Sequence, residues 1–158
     1  MSVLNDSSAF RKATLGLQAT KSLPAVTNGV QALFTVTGHV VLNSIVGVVT
    51  VAMDATATSI NLDFDPTIGS SVDLCAATVV TSDEAGTLYG IETWVTGLLV
   101  ANATSAPGTA YTPLAPTSGS IVLAPGQITL VGTAANVGDT TWYAEWVPLT
   151  DGATLVAA

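Results

Sequence analysis

A chain of 158 residues fits one domain, or one domain with an arm, and is long enough to bury a core of its own. Only 9% of the residues are charged, against roughly 25% in an ordinary soluble domain, so Thr, Ser and Asn replace charge on the surface. The formal charge of −8 argues against nucleic acid as a partner, because phosphate is bound by basic patches that this composition does not supply.

The few cations are gathered at one end. Arg11, Lys12 and Lys21 all precede residue 22, opposed there by Asp6 alone, and the other ten acids follow. Phe10, Ala13, Leu17 and Lys21 have helical spacing, but Gly16 and the interspersed Thr and Ser weaken a helix. An arm that orders on a partner describes the segment better. In "SLPAVTNG", Pro24 fixes an extended entry and Asn28-Gly29 makes a turn, so residues 1–29 are assigned to an arm and hinge and residues 30–158 to the folded domain. "ATLGLQATK" is too short and polar for the core of a secretory leader.

From Val30 onward the chain reads as short β runs divided by Gly, Pro, Asp and Asn. "VQALFTVTG" sets Ala32, Phe34 and Val36 against Leu33, Thr35 and Thr37. "VVLNSIVGVVTVAM" is apolar but broken by Asn43, Ser44 and Thr50, and is too short for a membrane helix, so no membrane partner is expected. "SINLDFDP" places Ile60, Leu62 and Phe64 on one face and Asn61, Asp63 and Asp65 on the other, ending at Pro66. "VDLCAATVV", "TLYGIETWV", "LLVANAT", "SIVLA", "QITLVGT" and "TTWYAEWVPL" complete about nine strands, with turns at "TSDEAG" and "APG". This pattern predicts an all-β fold, a single β-sandwich of jelly-roll-like type with an extended N-terminal arm. Residues 104–120, which include three prolines and Tyr111, are expected to form a long surface loop.

No motif carries chemistry. His39 is the only histidine and no G-x-S-x-G elbow accompanies it, so a Ser-His-Asp site is not expected. Cys75, the single cysteine, reads as a small residue on a strand. One His and one Cys cannot make a zinc site, so no metal and no cofactor is predicted. Asp54, Asp63 and Asp65 could be imagined around calcium, yet "DFDP" lacks a glycine-turned loop, and carboxylates on an exposed strand face account for them. Glu92 and Glu145 each stand beside a tryptophan, as in some sugar sites, but Trp142, Ala144 and Trp146 share one strand face and read as core. The chain is not expected to be an enzyme.

With "LFTVTGHVVLNSIVGVV", "TIGSSVDLCAATVV", "GTLYGI" and "WYAEWVPLTDGATLVAA", the chain resembles small structural proteins of tailed bacteriophages and prophages, over most of residues 30–158. The resemblance implies a virion component on the capsid exterior, a capsid decoration (cement) protein or another β-rich appendage, and brings no catalytic residues. The expected arrangement is a homo-oligomer, a trimer being favoured, whose arm binds the major capsid protein. Phe10, Leu15 and Leu17 would supply apolar anchors between the cations Arg11, Lys12 and Lys21. The alternative is a tail or fibre module that stacks a host glycan on Trp94, Tyr111, Trp142 or Trp146.

Overall fold

A computed structural model describes residues 16–91, 99–102 and 120–158, of which 99–102 are described by their backbone alone. They form twelve strands: β1 (Leu17–Leu23), β2 (Gly29–Thr37), β3 (Val40–Val49), β4 (Ser59–Pro66), β5 (Val72–Asp73), β6 (Thr78–Val79), β7 (Leu88–Ile91), β8 (Leu99–Asn102), β9 (Ile121–Leu123), β10 (Gly126–Gly132), β11 (Thr140–Pro148) and β12 (Thr154–Ala157). No helix long and apolar enough to cross a membrane occurs among the described residues.

The strands make two antiparallel sheets packed face to face. The first runs β1-β11-β3-β7-β8, with β9 beside the opposite end of β3 from β7; the second runs β12-β2-β10-β4-β5, with β6 also on β4. The β-sandwich read from the sequence is present, and the strand order itself does not establish a jelly roll. β2 and β3 are consecutive yet lie in different sheets, as are β10 and β11, and β2 pairs β10 while β3 pairs β11. "APG" therefore does not close a hairpin. It carries the chain from one sheet to the other, where the Pro125 carbonyl accepts from Thr67 N at 2.8 Å. Gly126 lets that corner sit tight on β4, since a Cβ there would lie 2.4 Å from the Asp65 carbonyl oxygen.

Two strands fall where none was expected. β1 pairs β11 over its whole length, from Leu17↔Trp146 to Leu23↔Thr140, so the segment assigned to an arm and hinge contributes an edge strand and the sandwich does not begin at Val30. The residues assigned to the hinge are also fixed. Val26 is buried and exchanges both backbone hydrogen bonds with Asn136, at 3.0 and 2.8 Å. The buried Asn136 side chain accepts from Asp54 N (2.9 Å) and Gly138 N (3.2 Å), joining three connections at one end of the sandwich. β12 pairs β2 and forms the neighbouring edge of the second sheet.

Inside, β4 buries Ile60, Leu62 and Phe64, as its alternation predicts. On β2 a register shift against β10 makes Leu33 an extra residue, so Leu33 and Phe34 are both buried and the strict alternation fails. "VDLCAATVV" is two short pieces, β5 and β6, separated where Leu74 and Cys75 turn into the core; Cys75 Sγ accepts from Leu62 N at 3.3 Å.

The largest buried side chain, Trp142, lies across β3. Its register partner is Gly47, whose own partner on the far side is Tyr89, and the two aromatic rings stack over the glycine with centroids 6.2 Å apart and planes 21° from parallel. Trp142 Nε1 donates to Thr140 Oγ1 (3.0 Å), and Tyr89 OH donates to the buried Asp83 carboxylate (2.7 Å). Burial raises the Asp83 carboxyl above its ordinary range, and the tyrosine hydrogen bond offsets part of that rise. A Cβ on Gly47 would meet the indole of the fully buried Trp142 at 2.8–2.9 Å. Gly47→Ala is expected to destabilise the fold by about 1–3 kcal/mol through overpacking, measured by urea unfolding, with the buried-tryptophan emission shifted in the folded state.

Candidate functional site

The leader expected to bind a partner enters the sandwich at Gly16. Of its six named residues, Phe10, Arg11, Lys12 and Leu15 lie outside the described residues, and Leu17 and Lys21 stand on β1. β1 turns Leu17, Ala19, Lys21 and Leu23 inward and Gln18, Thr20 and Ser22 outward. Leu17 packs against the core beside Trp146, and Lys21 donates from Nζ to the backbone oxygen of Ala158. Since Ala158 N in turn donates to Leu33 O (3.0 Å), Lys21 clasps the edge of the first sheet to that of the second. A lysine turned inward on an edge strand also blocks the addition of a foreign strand. The two residues thus belong to the body, and the cations in front of the sandwich are Arg11 and Lys12.

The tryptophans considered for sugar stacking are not surface groups where they are described. Trp142 is fully buried and Trp146 is 5% exposed, its Nε1 without a hydrogen-bond partner. Trp94, Tyr111, Glu92 and all but the last residue of the loop 104–120 lie outside the described residues. Glu145 is half-buried on the outward face of β11, where its Oε2 accepts from Ser44 Oγ at 3.2 Å. His39 is exposed in the β2–β3 turn, its backbone tied to Thr150 Oγ1 (3.0 Å) and Leu149 N (2.9 Å), at the end of the ladder that holds Glu145 in its interior.

The acids of β4 come together with a residue not singled out from the sequence. Asp63 is the register partner of Asp73 on β5, and Asn61 Nδ2 donates to Asp63 Oδ1 and, at 3.5 Å, to Asp73 Oδ1. Partial burial, then a shared hydrogen bond and like-charge repulsion with Asp73, push the Asp63 carboxyl up to about 6. Asp54 stands apart, in the β3–β4 connection, where its Oδ1 accepts from Thr56 N at 2.8 Å. Among the described residues no group of three His, Cys, Asp or Glu side chains gathers around a point that could hold a metal ion. Asp65 borders an open depression of about 550 Å³ formed with Thr35, Thr37, Pro66, Pro125 and Gln127. Its members come from three separate strands and share no local motif.

No family model, curated protein or solved structure matches this chain.

The strand assignment of Lys21 has a direct readout. In the folded protein the Lys21–Ser22 bond should survive trypsin and be cut only on unfolding; a native digest yielding a fragment that starts at Ser22 would contradict it. The acid pair sets a pH dependence. Because the folded Asp63 titrates above its ordinary 3.8, its contribution to stability is full below 3.8 and is lost as pH rises through about 6. Asp73→Asn is expected to lower the Asp63 midpoint and flatten the melting temperature between about pH 4 and pH 7, read by carboxyl NMR and thermal melts.

Proposed function

We propose that this chain is a structural virion protein, a capsid decoration protein of a phage head, whose leader attaches to the major capsid protein while the β-sandwich covers the exterior as a homo-oligomer. The observation that carries this reading is the division of charge. Residues 1–15 hold two cations against one acid, and the body from Gly16 holds one cation, Lys21, against ten acids. A short cationic and apolar leader rooted on a rigid edge strand is a suitable tether. Its individual contacts are weak, and several leaders on one oligomer raise the effective concentration.

The sandwich supports the same reading by what its side chains do. Trp142, Trp146 and Tyr89 fill the core, Lys21 closes its edge, and Glu145 is bonded to Ser44, all roles that stabilise a shell component. The burial of Trp142 and Trp146 removes two of the four aromatic residues on which a glycan-binding tail module would have rested.

The variant that tests attachment removes residues 1–15 and keeps β1. It is expected to melt like the full chain and to fail to co-sediment with heads of the parent particle stripped of this protein. Co-sedimentation at undiminished affinity would refute the leader as the tether.

A further inference from the structure

The outward faces of the two sheets differ in charge. On the second sheet the outward positions of β4, β10 and β5 are Asn61, Asp63, Asp65, Gln127, Thr129, Val131 and Asp73, three of them acids, with the exposed Val30 and Val156 beside them on β2 and β12. On the first sheet they form rows of another character. Thr20, Tyr143 and Val46 are successive register partners, then Ser22, Thr141, Val48 and Leu88, and at the far end Val147, Val41 and Val122. Val41, Val46, Val48, Leu88 and Val147 are half-buried, Val122 is exposed, and Tyr143 is 37% exposed. Among the described residues the only ionisable carboxylate at these outward strand positions is Glu145, bonded to Ser44. An antiparallel sheet with one solvated face ordinarily alternates apolar-in and polar-out, and β3, its central strand, breaks that rule with valine on both sides.

We propose that the outward face of β1, β11, β3 and β7 is where two copies of this chain pack against one another, centred on Tyr143 and Val46. Charge selects the occupant. A cationic partner finds its complement on the other sheet, at Asp63, Asp65 and Asp73. Two bodies that both carry a surplus of acids repel, and they can meet closely only over a surface that carries almost no charge. The first sheet offers that surface, and a gently twisted face is self-complementary about a two-fold axis, sheet on sheet at about 10 Å. Tyr143 supplies an aromatic anchor with a hydroxyl that can stay wet at the rim. A two-fold pair is then the unit this face builds, in place of the trimer expected from the sequence. The proposal rests on the homo-oligomer in the functional reading above and assigns it a surface.

The experiment is sedimentation equilibrium of the full chain at low and high salt. The expected result is a dimer that tightens as salt screens the repulsion between bodies. Tyr143→Glu should weaken it by about a hundredfold by placing an uncompensated charge at its centre, while Thr35→Glu on the opposite sheet leaves it intact. A wild-type protein that is monomeric at high micromolar concentration overturns the proposal, as does a dimer that weakens with salt or dissociates when residues 1–15 are removed, because leader cations would then hold it together. Should Tyr143→Glu fail to fold, nitration of the wild type decides: Tyr143 is protected in the concentrated dimer and labelled on dilution, and equal labelling at both concentrations overturns the assignment. Loss of head attachment with the dimer retained would isolate the leader's role from this one.

Discussion

The stack of Trp142 on Tyr89 across Gly47 is the constraint on which the first sheet depends. It fixes β11, β3 and β7 relative to one another through a single slab of aromatic surface, possible because the middle strand has no side chain there. The Tyr89 hydroxyl extends the same contact to Asp83, whose backbone carbonyl accepts from Met53 N at 2.8 Å. Burying a carboxylate is costly, and the tyrosine hydrogen bond makes it tolerable. Packing in the sheet and the course of the connection below it are therefore one structural problem with one solution.

At the opposite side the two sheets meet through their edge strands β1 and β12. Here a lysine holds the edges, with Trp142 as its register partner on β11. The consequence for electrostatics is that the sandwich retains one of the three permanent cations for its own closure. The remaining two stand ahead of it, and the acids are spread over the body, with three of them on one face. Among the described residues the outward face of the second sheet is acidic and that of the first nearly neutral, a distinction that net charge alone does not convey.

Much of the sandwich was legible. β4 and β11 announce themselves because each alternates cleanly, and the same alternation places Trp142 and Trp146 in the core. β1 was not legible: "LQATKSL" has a lysine at an inward position, and a sequence pattern that counts only apolar residues finds no strand in it. Within the segment read as an arm and hinge, Leu17–Leu23 is a strand whose partner, β11, lies over a hundred residues downstream. The alternation of β2 failed at Leu33 for a related reason, since a bulge is set by the partner's register. The pairing of Asp63 with Asp73 depends likewise on how β5 folds back onto β4. The leader's chemistry was readable as composition, whereas the neutral face of the first sheet emerged only when valines from β3, β9 and β11 were brought side by side.

The crossed pairing of β2 with β10 and β3 with β11 has a consequence for how the chain is made. During synthesis β2, β3 and β4 leave the ribosome early, but the strands that hold β2 to β4 and β1 to β3 emerge only in the last quarter of the chain. Until then the nascent polypeptide has no complete layer against which to bury Leu33, Leu62 or Ile45. Closure is consequently a late event with long loops to gather, and the absence of charge in β2 and β3 makes that interval the one in which chaperone binding has most to protect.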